Sequence, residues 1–216
     1  MVLPAPGGGA EVGVWEQLNA FHLDVLKEIG NIGAGNAATA LAALLNQRIE
    51  MSVPRAGVLP LQEIPSLIGQ EEDPVACVEF GVTGRAPGKI MFLLTRDSAF
   101  SLIDFLLGQS LGTTQKLDDM GVSVLTEVGN ILTGSFLTAF AEFSRLEFIP
   151  SVPAFAFDML GAVLSSAFLE GGYFADQALV IETQFYSPEA QISGYFFLIP
   201  EEQALSVIME SLGVNF

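Results

Sequence analysis

The 216-residue chain is half hydrophobic and only 15% charged, holds 25 acidic against 8 basic residues for a formal charge of −17, and has a single cysteine. Such a balance argues against nucleic acid, whose phosphates would be repelled. The lone Cys77 excludes a disulfide framework and fits a reducing, cytoplasmic compartment. So apolar a composition implies a large core and leaves apolar surface for a protein partner, one presenting lysine or arginine to an acidic face.

Residues 1–14 lack the basic and apolar regions of a secretory signal and read as a flexible tail. From Trp15, the residues Leu18, Phe21, Leu23, Val25, Leu26 and Ile29 recur at helical spacing, and the pattern continues through Ala37, Leu41, Leu44 and Leu45. This predicts a long helix broken near Gly30, Gly33 and Gly35. Each of those glycines costs about 1 kcal/mol relative to alanine within a helix, so their clustering calls for a compensating cause such as close approach of another backbone. Residues 48–60 read as extended, with Pro54 suited to a sheet edge. A short helix over 61–69 and the solvated loop Glu71-Glu72-Asp73 follow. Two β-rich runs, 75–82 and 89–95, are joined by TGRAPG as a hairpin, and an amphipathic helix over 97–107 closes the half at Gly108.

The second half repeats this order. Asp118 or Ser123 caps a helix running to about Arg145. An extended segment over 148–158, a helix over 159–169, the loop EGGYFADQ, a hairpin of 178–186 and 192–199 turning at SPEA, and a helix over 201–212 come next. The Phe-rich residues 154–168 read as core. No apolar run reaches the roughly 18 residues of a membrane span, so the chain reads as soluble. The expected fold is α+β: residues 15–216 form one internally duplicated, pseudo-twofold domain with repeats of about 15–110 and 111–216. An antiparallel sheet is covered by helices, with one long motif-bearing helix per half.

The duplication is sharpest in polar residues. EIGNIGAGNAATALAALL begins at Glu28 and EVGNILTGSFLTAFAEFS at Glu127; Glu28 matches Glu127 and Asn31 matches Asn130, each 99 residues on, as Val53-Pro54 matches Val152-Pro153. Residues three apart share a helix face, so each half presents a carboxylate beside a carboxamide. Three readings compete. The four side chains are solvated surface residues; or GNIGAG is a dinucleotide-binding loop; or the couples work on a surface that another protein approaches. The loop reading is weak, because a helix rather than a strand precedes, the glycine order is wrong, and the second copy reads GNILTG; a P-loop lacks its Lys-Ser/Thr. His22, the only histidine, reads as a helix-surface residue with no nucleophile at triad spacing. No His/Cys cluster suggests a zinc site, and Asp118-Asp119 suits a helix start. The changes Gly33 to Leu132 and Asn36 to Ser135 are expected to alter the surface beside the second couple.

The helix with E-I-G-N-I-G-A-G-N-A-A-T-A-L, its second copy with E-V-G-N, and the V-P after each resemble the CheC family of bacterial chemotaxis, which is related to CheX and FliY. The resemblance spans the chain after the tail. It implies a phosphatase of the aspartyl phosphate of a CheY-type response regulator, with the receptor deamidase CheD as a second partner. In that scheme Asn31 and Asn130 orient the attacking water, Glu28 and Glu127 dock against a basic side chain of the regulator, and Mg²⁺ belongs to the regulator, leaving this chain no cofactor of its own. A non-catalytic adaptor binding the regulator or CheD is the alternative.

Overall fold

Apolar residues along the β-rich runs face two ways. In β2 (Pro74–Gly84) and β3 (Gly88–Thr95), Ala76, Val78, Phe80, Ile90, Phe92 and Leu94 belong to one buried cluster, while Val75, Cys77, Met91 and Leu93 belong to a second. In β7 (Gln191–Pro200), Phe196 and Leu198 join the first cluster and Phe197 and Ile199 the second. A strand covered on both faces needs apolar residues at nearly every position. That double coverage accounts for much of the hydrophobic composition.

The computed structural model describes residues 18–46, 48–169, 177–186, 191–201 and 203–213. Four helices cover the first face of the sheet: α1 (Ala20–Leu45), α3 (Arg96–Leu106), α4 (Asp119–Ser144) and α6 (Ala204–Ser211), which bury Leu26, Leu102, Leu125 and Leu205 there. The second face is covered by α2 (Ile64–Ile68) and α5 (Leu160–Leu169) through Ile64, Leu160, Val163 and Leu164. The fold is therefore the expected α+β arrangement of an antiparallel sheet clothed in helices.

The strand order is β1 (Glu50–Pro60), β6 (Gln177–Tyr186), β7, β3, β2, β4 (Phe148–Pro150), and β5 (Ala154–Met159) also pairs with β2. Every pairing is antiparallel. The extended segment that leaves each long helix thus pairs with the hairpin of the other half: β1 lies on β6, and β4 and β5 lie on β2. Between them β3 meets β7. The repeated Val-Pro marks the same irregularity twice. The β1–β6 register shifts between Ser52 and Arg55, and the strand on β2 is interrupted between Pro150 and Ala154. A proline has no N–H for the ladder, so a bulge or break at an edge is where it is tolerated. The environments differ: Val53 is 3% exposed and Val152 85%.

Several details depart from the sequence reading. The first long helix is unbroken through its glycines, and it begins at Ala20, with Leu18 and Asn19 ahead of it. His22 is buried rather than on the surface, because its ring folds back over the helix N-terminus, where Asn19 N donates to Nδ1 at 3.3 Å. Residues 154–168 are only partly core: α5 is buried on one side, but Phe157 and Met159 are exposed because β5 is an edge strand with no neighbour beyond it. By length and composition α4 could cross a membrane, contrary to the sequence reading, but half of its most apolar window is buried in the protein. The expected tail over 1–14, the loop residues 170–176 and the SPEA turn lie outside the described residues. Cys77 is a buried filler, and burial pushes its thiol well above the usual range.

Candidate functional site

The two long helices are built alike. Asn19 caps α1 by accepting from Phe21 N (3.0 Å) and His22 N (3.3 Å), and Asp118, 99 residues on, caps α4 by accepting from Gly121 N (2.8 Å). Each helix has 26 residues, about 39 Å in length. Each ends on a left-handed residue, Asn46 (φ 51°) or Arg145 (φ 57°), whose N–H returns to Ala42 O or Ala141 O. The start, length and stop of the helix are all duplicated.

Their inner faces are held close by glycine. A Cβ on Gly33 would stand 2.8 Å from Cδ1 and 3.0 Å from Cα of Phe136, so α1 lies against the backbone of α4 at that point. A Cβ on Gly129 would stand 2.8 Å from Val78 Cβ, and this glycine seats α4 on the sheet. The helices run antiparallel: Gly33 meets Phe136 near the middle, while Leu41, Leu44 and Leu45 of α1 meet Ser123, Val124, Glu127 and Val128 of α4 near one end. The sequence change from Gly33 to Leu132 therefore does not alter the surface as expected, since both positions are buried in the packing between elements. Only Asn36, exposed, and Ser135, half-buried, change the outer face.

On that outer face stand the four predicted residues. Glu28 and Asn31 on α1, and Glu127 and Asn130 on α4, are all exposed, whereas Ile29, Gly30, Val128 and Gly129 between them are buried. Among the described residues none of the four side chains is engaged in a hydrogen bond or ion pair. The spacing places each carboxylate and carboxamide about 5–6 Å apart at Cβ. One further stretch along the same face lie Gly35 and Gly134, then Thr39 and Thr138, all exposed. Thr39 Oγ1 donates to Gly35 O at 2.9 Å and Thr138 Oγ1 to Gly134 O at 2.7 Å. The matched unit is thus longer than the couple: Glu, Asn, Gly and Thr at i, i+3, i+7 and i+11. The sequence already set Gly35 among glycines that admit a close backbone; the threonines, whose common helical face was the available signal, were not singled out.

The surroundings of the couples differ. Beside Glu127 an open, mostly apolar groove of about 210 Å³ is lined by Leu41, Leu44 and Leu45, by Leu106 and Leu107, and by Ser123, Val124 and Val128. The residues that match this lining in the other half are Phe140, Phe143 and Ser144, then Ser211 and Leu212, then Asp24, Val25 and Ile29. Ser144 is buried and donates to Phe140 O at 2.6 Å. The leucine-rich groove also has its own support. Asp104 on α3, fully buried, accepts from Thr113 N (2.9 Å), Thr114 N (2.9 Å) and Thr114 Oγ1 (2.6 Å), pinning the segment between α3 and α4 that begins with Leu107. Its counterpart in the second half is Met209, which has no carboxylate to offer. Neither the groove nor Asp104 was foreseen, because both depend on which helix ends meet.

The arrangement bears on the rival chemistries. GNIGAG lies in the middle of α1, where helix backbone N–H groups are committed to carbonyls, so it does not form a phosphate-binding loop. Among the described residues no group of three or more His, Cys, Asp or Glu could hold a metal ion.

Two long helices, each exposing a carboxylate–carboxamide couple from a sheet of interleaved halves, define a class of internally duplicated α+β proteins. The CheC-like family model matches residues 21–58 and 120–156, the helix-plus-edge-strand unit of each half. The chain is 34% identical to the CheY-P phosphatase CheC of Bacillus subtilis over 206 residues, 94% of this chain and 99% of that protein. It is 28% identical over 125 residues to the flagellar motor switch phosphatase FliY of the same organism, covering 57% of this chain and 32% of that one. The crystal structure of Thermotoga maritima FliY superposes with a TM-score of 0.73 at 20% identity, covering 91% of this chain and 98% of that one. The chain belongs to the CheC-like family.

Proposed function

We propose that this protein is a cytoplasmic phosphatase of the aspartyl phosphate on a CheY-type response regulator, acting at two sites, Glu28 with Asn31 and Glu127 with Asn130. The observation that carries the proposal is the exposure of both couples, unpaired, at matched places on two matched helices. The identity to a CheY-P phosphatase along nearly the whole length of both chains supports the same substrate class.

The chemistry asks little of the phosphatase. An acyl phosphate is already reactive and the regulator holds its own Mg²⁺, so what remains is to place a water in line with the bond that breaks. The carboxamides of Asn31 and Asn130 hold that water by hydrogen bonds; an amide is no base at neutral pH, so it orients without taking the proton. Glu28 and Glu127, one turn away, pair with a basic side chain beside the phosphorylated aspartate and fix the register of docking. At the second site the apolar groove beside Glu127 extends the docking surface and accepts an apolar side chain of the regulator next to that cation. CheD is proposed as a second protein partner.

Replacing both asparagines by alanine tests the reading. Hydrolysis of the phosphorylated regulator is expected to fall about a thousandfold, the range for removing a transition-state hydrogen bond, with affinity changed less than about threefold. Phosphate release at the wild-type rate from that variant would leave the adaptor reading in its place.

A further inference from the structure

The six glycines of the two long helices are accounted for differently. Gly30, Gly33, Gly121 and Gly129 are buried and face neighbouring side chains, with Cβ positions 3.5 Å from Ile181, 2.8 Å from Phe136, 3.0 Å from Ile103 and 2.8 Å from Val78. Gly35 and Gly134 face the other way: both are exposed, and a Cβ on either would meet nothing within 4 Å among the described residues. Both lie inside continuous helix with no positive φ to require glycine. The protein's own packing thus gives no reason for them, although each weakens its helix relative to alanine.

Three observations tie these two positions to the sites. They recur at the same place, four residues after Asn31 and Asn130, which puts each glycine on the face of its asparagine one turn further along. In both helices the carbonyl of the glycine is the one that Thr39 or Thr138 holds, so the threonine hydroxyl is turned inward along the helix. And the neighbouring couples are exposed and unengaged.

We infer that Gly35 and Gly134 are positioning residues that clear a path for the regulator's backbone, which crosses each helix one turn beyond the asparagine. This inference rests on the proposed phosphatase reading. A bare glycine lets a main chain approach the helix more closely than any other residue does, and that closeness sets how far the phosphoryl group stands from the carboxamide. A methyl group there holds the regulator away and leaves the water out of line.

The test is the variant G35A/G134A, because the two roles a glycine can have move stability and activity in opposite senses. With open space at both positions, the melting temperature is expected to rise by about 2–4 °C per substitution. At the same time kcat/KM for the phosphorylated regulator is expected to fall about a hundredfold, the size associated with a displacement of about 1 Å. Placed in the non-hydrolysing N31A/N130A background, the same two substitutions are expected to weaken binding of the phosphorylated regulator about tenfold. A lowered melting temperature would assign the glycines to the protein's own fold and overturn the inference. Activity within twofold of wild type would overturn it as well. Failure of the phosphatase reading looks different: the unmodified protein would then release no phosphate, or N31A/N130A would release it at full rate.

Discussion

The couples on α1 and α4 share their caps, their glycine, their threonine and their exposure, yet they sit beside different ground. Glu127 borders a leucine-lined groove, kept in place by a segment that buried Asp104 pins down. Glu28 has Asp24 one turn before it where Glu127 has Ser123, and Phe140 and Phe143 stand where Leu41 and Leu44 line the other groove. Duplication preserved the polar couple on each outer face while the packing beneath and beside it diverged. On the outer face the couple, the glycine and the threonine are kept alike, while the groove-lining residues beside the couple differ between the halves.

The packing side of that comparison breaks most sharply at Gly33. Making the halves alike there, with G33L, drives a side chain into Phe136, and the expected cost is about 3 kcal/mol, read from chemical denaturation. A loss under about 0.5 kcal/mol would mean that the two helices are not held backbone to backbone. Slightly smaller is the effect of D104A, which leaves two backbone N–H groups and a hydroxyl without their acceptor at a cost of about 2–3 kcal/mol. Because the pinned segment borders only the second site, the loss of turnover should be larger in an N31A background, where that site works alone, than in N130A. Smallest is L44Q. Leu44 is 59% exposed, so the fold should tolerate the change. In the N31A background KM is expected to rise about tenfold through loss of one apolar contact. An equal rise in N130A would show that the groove does not belong to one site.

Much of this was legible in sequence because it was written twice. The Glu–Asn couple, the Val-Pro and the hairpins stood out by recurring in both halves, and the nearly continuous apolar runs of 75–82 and 89–95 record strands buried on both faces. What could not be read is what depends on contacts between distant segments. The glycines of α1 suggested a broken helix, since glycine is a poor helix former; tertiary packing overrode propensity, because Gly33 is needed small where Phe136 crosses. His22 looked like a surface residue because the ring's return to the N-terminus of its own helix leaves no mark in hydrophobic spacing. The exchange of β1 and β4/β5 between halves was equally silent, since either half's hairpin offers an edge of the same chemistry.

The central claim, that the two carboxamides perform the hydrolysis, is tested most directly by following the decay of phosphorylated regulator with wild type, N31A, N130A and the double variant side by side. Each single variant should retain the turnover of its remaining site, and the double variant should leave the regulator to decay at its own unaided rate. Decay as fast with the double variant as with wild type would contradict the account.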